Sequence, residues 1–361
     1  MKKFLAFATL ASVALVGCVN DEQMEMAQEA KKVSFNNPVM ATQTRAHYGE
    51  ITGATYPTTE NFKVFAKQHK GALSNWDAAD DFWTNPQEAK YDATLQYWDT
   101  DQDYYWPSSD DNVWLSFAAY SPAVLTGNNV AASYSSTGLS ITEFEVNPTV
   151  SEQVDLMYSG PVLNCSYTEE SDVDGVDLNF KHALSSIVFS AINLNDAAAS
   201  YTINSISVKG QFLTKGDFNE GLTSITATSG TPAWSNTTST IGQDYSLATG
   251  LNTSVNTSAT VITEGESALL TIPHTAEQLT AADPEVTINY TVSPKTGAQT
   301  YTATKTVKLS GFKTATDEAI TDWEVGTRYV YQFQFGSTSK IFFTPTVTDW
   351  VDGGTASIEI K

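Results

Sequence analysis

The residue types that most often perform chemistry in proteins are sparse in this chain. Its four histidines are His47, His69, His182 and His274, and no two of them have the spacing of a metal-binding motif. The sequence contains no serine nucleophile elbow, no phosphate-binding loop and no dinucleotide fingerprint. Carboxylates are plentiful, but nothing marks two of them as the acid and base of a glycosidase. We therefore predict a protein that is not an enzyme and that needs no cofactor.

Two acidic stretches have the composition of a calcium loop. Residues 99–110 place aspartates at EF-hand spacing, and residues 172–177 read DVDGVD. In the first stretch, Tyr104 stands where the loop needs a glycine, and Asp110 stands where it needs a bidentate glutamate. The alternative is a solvated acidic loop, and we predict no metal site. The nearby aromatic run YYWP could stack on a sugar or pack into a core.

The two cysteines have different surroundings. Lys2 and Lys3 precede an apolar run over 4–16 that is too short to cross a bilayer as a finished helix, and the run leads into Leu-Val-Gly-Cys18. This arrangement resembles a bacterial lipobox and predicts lipidation of Cys18, although an ordinary secretory signal with an accidental cysteine would have a similar start. Cys165 is most simply a small buried residue.

The composition favours a folded, exported protein without a nucleic-acid partner. The net charge is −22, whereas phosphate binding needs clustered lysines and arginines. The hydrophobic fraction of 41% is too high for a disordered chain.

One of only two arginines lies in a polar run that a protease could reach. Arg45 follows a short candidate strand that contains Val33, Phe35 and Val39, and Ala46 follows it without steric hindrance. The alternative interpretation of Arg45 is a solvated loop residue, and Lys31 and Lys32 are alternative cleavage sites for a less selective, trypsin-like protease.

Strand patterns dominate the rest of the chain. Tyr329, Tyr331, Phe333 and Phe335 alternate with other residues over a full strand, and residues 286–292 show the same period of two. Similar runs occupy 61–67, 110–122, 155–159 and 176–194, with a turn predicted at Gly160-Pro161 and a bulge near Ser205. Short helical turns are expected at 77–83 and 319–326.

Many short strands without alternating helices predict an all-β protein made of antiparallel β-sandwiches, and the length suggests two of them. The expected organisation is a lipoprotein signal peptide over 1–18, a tether and first strand over 19–45, and two sandwiches over 46–172 and 173–361. The boundary is placed in the Asp-rich stretch SYTEESDVDG.

Several segments, in order, resemble the fimbrillin family of type V pilins. They are the lipobox at Cys18, YYWP followed by VWLSFAAYSP, VDLMYS followed by LNFKHALSSIVFSAI, LLTIPH, WEVGTRYVYQFQF and the closing VTDWVDGG. Each pattern is loose alone, and the order makes the resemblance specific. It implies two transthyretin-like, Greek-key sandwiches.

The resemblance also implies how such a protein matures. A trypsin-like, arginine-specific protease would cut between Arg45 and Ala46 and remove the strand with Val33, Phe35 and Val39. A C-terminal strand of a neighbouring subunit would then fill the groove. The candidate donor strand is 355–361, in which Ala356, Ile358 and Ile360 alternate with polar residues. An ordinary edge strand of the second sandwich has the same pattern, so both interpretations of this tail stay open.

These features predict a shaft or tip subunit of a surface pilus that serves adhesion. Its expected partners are other pilus subunits, the protease and, in the precursor, a lipid anchor; a host or bacterial surface ligand is not identified. The expected location is the outer membrane as a lipoprotein precursor and then the surface fimbrium. The alternatives are a monomeric, glycan-binding surface lipoprotein and a pilus anchor subunit that keeps its lipid.

Overall fold

The computed structural model describes residues 31–36, 38, 51, 56–107, 112–167, 175–227, 229–314 and 317–336, together with the backbone of 351–360. Strands of the first half are β1 Phe62–Lys70, β2 Asp80–Asp81, β3 Gln87–Asp92, β4 Tyr97–Thr100, β5 Val113–Ser121, β6 Ala131–Ser135, β7 Gly138–Glu145, β8 Met157–Cys165 and β9 Phe180–His182.

The second half adds twelve strands and one short helix. They are β10 Ser185–Asn193, β11 Ala199–Gly210, β12 Leu213–Asn219, β13 Ala233–Ser239, β14 Gln243–Ala248, β15 Thr253–Val255, β16 Thr260–Val261, β17 Leu269–Thr271, α1 Ala276–Ala282, β18 Glu285–Pro294, β19 Tyr301–Lys308, β20 Thr327–Phe335 and β21 Val351–Ile360. The predicted all-β class is confirmed.

These strands form four sheets. Sheet A has the order β4-β3-β1-β5-β8-β9 with β2 beside β1, and sheet B has the order β13-β12-β7-β6. Sheet C is β14-β11-β18-β19 with β15 beside β11, and sheet D is β16-β10-β20-β21 with β17 beside β10. Among the described strands, β20 pairs in parallel with both β10 and β21, and the other pairings with a stated register are antiparallel.

Strand β5 of sheet A is buried on both faces over most of its length, which explains its nearly continuous apolar run. Leu115 and Phe117 face a first core that also contains Phe62 of β1. Ala118 and Tyr120 face a second core shared with residues of sheet B. A third core lies between sheets C and D.

Sheet B takes β6 and β7 from before residue 172 and β12 and β13 from after it. The strand β9, which also follows residue 172, pairs with β8 in sheet A. The division into 46–172 and 173–361 stays a prediction, and strands from both sides of it share two sheets.

Several local predictions can be compared with the strands. The shared face predicted for β20 is confirmed, because Tyr329, Tyr331, Phe333 and Phe335 all belong to the third core. Gln332 and Gln334 of the opposite face are buried too. The bulge is confirmed by a register shift between Ile203 and Ser205.

Other local predictions were wrong. The turn expected at Gly160-Pro161 is absent, because β8 continues through both residues. The helical turn expected at 77–83, by contrast, is confirmed in part, because residues Trp76–Ala78 form a short 3-10 turn. In 319–326 the backbone of Trp323 instead bridges to His274.

Candidate functional site

The N-terminal residues 31–36, here called the inserted segment, lie between two stretches of backbone at opposite ends of sheet A. On the side of β4, the amide of Phe35 donates to the carbonyl of Trp98 at 2.9 Å, and the amide of Trp98 donates back to Phe35 at 2.9 Å. Val33 N donates to Tyr104 O at 2.7 Å, which continues this ladder.

On its other side, the inserted segment pairs with the residues that lead into β9. Asn36 N donates to Val176 O at 3.1 Å, and Val176 N donates to Ser34 O at 2.9 Å. The bridge between Phe35 and Trp98 is antiparallel, whereas that between Phe35 and Val176 is parallel. The segment therefore occupies a strand position with a neighbour on each side.

The alternate side chains of the segment belong to the first core. Val33 is 1% exposed and Phe35 is 0% exposed. The Phe35 ring makes edge contacts with Phe62 and Phe117, at centroid distances of 6.0 and 5.6 Å. Burying side chains of this size stabilises a fold by roughly 1.5–3 kcal/mol each. The core of sheet A is complete only with these two residues in place.

An ion-pair cluster fixes one end of the segment. The Lys32 ammonium contacts the carboxylate of Asp99 and lies 2.6 Å from Asp103 Oδ1. Burial lowers the pKa of Lys32, but the hydrogen bonds and charges of Asp103 and Asp99 outweigh it and raise the pKa to about 12. The Lys32 ammonium therefore stays charged at physiological pH.

The other end of the segment is fixed by Asn36. Its Nδ2 donates to Gly175 O at 3.0 Å and to Asp177 Oδ1 at 2.9 Å. Gly175 has φ of +135°, and a Cβ built on it would lie 2.3 Å from Asn36 Oδ1. Glycine at 175 is thus needed both for its own backbone conformation and for the close approach of Asn36.

The acidic loop is neutralised by lysines. Lys32 pairs with Asp99 and Asp103, and Lys90 lies 3.0 Å from Asp101 Oδ1. Within the described ranges, no group of three or more His, Cys, Asp or Glu side chains is arranged to hold a metal ion. Asp110 and 172–174 of the suspected calcium loops lie outside the described residues.

The aromatic run beside this loop packs inward. Trp98 is 0% exposed and Trp106 is 5% exposed, and both belong to the first core. Tyr105 is the exposed member of the run, with 48% of its surface accessible. Of the two interpretations of YYWP, core packing holds for its tryptophan, Trp106, and the nearby Trp98 is buried in the same core.

The C-terminal tail forms β21 at the edge of sheet D. Its register places Ala356 beside Tyr331, Ile358 beside Phe333 and Ile360 beside Phe335. Ile358 is partly buried against the third core. In this isolated chain the tail therefore occupies an edge position in its own sheet, which is where the edge-strand interpretation would place it.

Four predicted site residues lie outside the described residues: Cys18, Val39, Arg45 and Ala46. Within the described residues, no helix has the length and apolar character that crossing a membrane requires.

Sequence reasoning missed the residues that hold the two ends of the inserted segment. Lys32 was considered only as an alternative cleavage site. Asn36 and Gly175 had no assigned role, although a glycine after Asp172-Val173-Asp174 could have signalled a backbone approach. Asp99 and Asp103 were considered only as metal ligands. Pairing Asp99 with Lys32 required knowing that these two residues, 67 positions apart in the chain, meet.

Comparison with known proteins adds the family. A family model described as "Fimbrillin-like" matches residues 44–350 of this chain. The chain belongs to the fimbrillin-like family. The predicted membership is thereby confirmed, and the matched range leaves out both the inserted segment and β21.

The solved structures that match this chain include two from Bacteroides. A fimbrial protein from Bacteroides vulgatus ATCC 8482 is 17% identical with a TM-score of 0.46, and the match covers 84% of this fimbrillin-like chain and 95% of that chain. A "putative cell adhesion protein" from Bacteroides uniformis ATCC 8492 is 15% identical with a TM-score of 0.44, covering 84% and 93%. No match was found among curated proteins.

Proposed function

We propose that this chain is a structural subunit of a cell-surface pilus, made as an outer-membrane lipoprotein precursor that is acylated at Cys18. One observation carries the proposal: residues 31–36 complete the first core as an inserted strand and precede Arg45 in the chain. A cut between Arg45 and Ala46 separates both the lipid and this strand from the rest of the molecule.

Loss of the inserted segment opens a groove that is shaped for another strand. The carbonyls of Trp98, Tyr104 and Val176 and the amides of Trp98 and Val176 lose their partners, and the pocket of Val33 and Phe35 becomes empty. Unpaired backbone beside an apolar slot is satisfied by adding a strand, which is a recurring mode of peptide recognition.

The strand that fills the groove is the tail 355–361 of a neighbouring subunit. Ala356, Ile358 and Ile360 fall on one face of this tail and can replace the buried residues of the inserted segment. To act in this way, β21 must first leave its position beside β20. The contact is head-to-tail and does not close, so it extends into a filament that serves adhesion.

The position of the inserted segment favours Arg45 over other basic residues as the cleavage site. A cut after Lys31 or Lys32 would leave Val33 and Phe35 in the part of the chain that remains. It would also need access to Lys31, whose carbonyl accepts a hydrogen bond from Trp106 N at 3.0 Å. A trypsin-like enzyme specific for arginine therefore fits the substrate best.

The test compares the two arginines of the chain. Arg45→Ala should leave the protein lipidated and monomeric at the cell surface, because neither the segment nor the anchor is released. Arg328→Lys is the control, since Arg328 lies 3.4 Å from Glu264 and a lysine keeps this charge pair. The control should be cleaved and assembled normally. Normal filaments from Arg45→Ala would refute the site assignment.

A further inference from the structure

The acidic end of the groove is built around a cation. The side chain of Asp99 is 14% exposed, and that of Asp103 is 60% exposed. Both carboxylates contact the same Lys32 ammonium, and Lys32 belongs to the inserted segment. Removal of the segment therefore takes the cation away from a largely buried carboxylate and its acidic neighbour, which is an unfavourable arrangement.

A strand that replaces the segment is favoured when it brings a basic side chain to the same place. In the inserted segment, Lys32 adjoins the buried Val33, and Phe35 is the next buried apolar residue after the buried polar Ser34. In the tail, Lys361 adjoins Ile360, and Ile358 is the next apolar residue of that face. The order basic, apolar, polar, apolar is the same when the tail is written in reverse.

We propose that the tail of a second copy enters the groove antiparallel to the segment that it replaces, with Lys361 between Asp99 and Asp103. Ile360 then takes the place of Val33, and Ile358 takes the place of Phe35. This inference rests on the proposed function and adds to it the direction of entry and the residues that select the partner strand.

Entry in the opposite direction satisfies the charges less well. Lys361 would then reach the position of Asn36 beside Asp177, which is exposed and hydrated and needs no cation. Ser357 would face Asp99 and Asp103, which would remain without a cation. The space beside Gly175 is also tight, and the small Ser357 suits it better than a lysine.

Directional cross-linking tests the proposal on protein cleaved with an arginine-specific protease. One double variant is Asp177→Cys/Ser357→Cys, which keeps Lys361, Asp99 and Asp103 and joins the positions that meet in the proposed direction. The matched control is Asp103→Cys/Ser357→Cys, whose positions meet only in the opposite direction. Both aspartates are exposed, so neither substitution removes a core residue. After mild oxidation, non-reducing gels should show a ladder of disulfide-linked oligomers for the first variant only.

The other outcomes distinguish a failure of the proposed direction of entry from a failure of the proposed function. A ladder from the Asp103 variant, or from neither variant, overturns the direction of entry when cleaved wild-type protein assembles normally. If cleaved wild-type protein itself does not assemble, the proposed function fails, and the inference fails with it.

A charge exchange gives an independent readout. Lys361→Glu should slow assembly about tenfold, because it places a third carboxylate at the acidic end, and adding Asp103→Lys should restore the rate. Assembly of Lys361→Glu at the wild-type rate would contradict the proposal, as would a double variant that stays slow.

Discussion

Phe35 is a core residue that the proposed cut at Arg45 would remove. Its ring is fully buried and contacts Phe62 and Phe117, two residues of sheet A that follow Arg45 in the chain. Under the proposed cleavage, its contribution to stability belongs to the precursor alone. A core residue downstream of Arg45 would contribute before and after the cut.

The first prediction separates these two kinds of core residue. Phe35→Ala should lower the free energy of unfolding of the precursor by about 3–5 kcal/mol. It should have no effect on the mature protein once the cut segment has been removed. Denaturant unfolding of both forms measures this, with Phe62→Ala as the control that destabilises both. Equal unfolding curves for wild-type and Phe35→Ala precursors would show that the segment is not inserted in solution.

His274 supplies a prediction about pH. Burial lowers the pKa of His274 from 6.5 to about 4, and the hydrogen bond of its Nδ1 with Ile272 O offsets part of this effect. Between these two values the unfolded chain binds a proton that the folded chain does not. Stability from this group is therefore complete above pH 6.5 and is lost as the pH falls towards 4.

The expected loss is about 3 kcal/mol over this pH window. In His274→Gln, the decrease in unfolding free energy between pH 7 and pH 4 should be smaller by about that amount. The difference between the two proteins at pH 8 gives the cost of the substitution itself. Parallel pH profiles for wild type and variant would contradict the assignment.

At the scale of elements, the contact between the inserted segment and residues 175–177 depends on a glycine. Gly175→Ala should destabilise the precursor more than the mature protein, by about 1–3 kcal/mol, because the clash with Asn36 exists only in the precursor. Gly71→Ala is the matched control: its φ is +72° and nothing lies within 4 Å of the added Cβ. It should affect both forms equally, by about 1–2 kcal/mol. Equal effects of Gly175→Ala on both forms would count against the contact.

Elements with a strong local pattern could be predicted from the sequence. β18 alternates between buried and less buried positions, and β20 alternates between aromatic and other residues from Tyr329 to Phe335; a period of two needs no knowledge of neighbours. The inserted segment was found through Val33 and Phe35 for the same reason. α1 was missed although Thr275 and Gln278 form a capping box, because only seven residues follow the cap.

Pairings between distant elements could not be read in this way. The parallel contacts of β20 with β10 and β21 depend on how whole sheets assemble, which local alternation does not specify. The same holds for sheet B, which joins strands from both sides of the expected boundary. The salt bridges of Lys32 belong to this class, since their geometry exists only after the segment has entered sheet A.

At the scale of the whole molecule, the proposed function gives each subunit a groove that accepts a strand and a tail that donates one. A chain that lacks residues 355–361 keeps the groove and loses the donor. It should not assemble alone after cleavage, and it should shorten filaments when mixed with wild-type subunits, because it can occupy one end and cannot extend it. Filament lengths in electron micrographs of such mixtures measure this. Unchanged lengths in an equimolar mixture would exclude the tail as donor.

Cleavage after Arg45 is the step on which the proposed function depends most. Mass spectrometry of subunits isolated from surface assemblies identifies their N-terminal residue directly. We predict that assembled subunits begin at Ala46 and lack both the lipid and the inserted segment. Assembled subunits that still begin at an acylated Cys18 and retain Val33 and Phe35 would contradict the account.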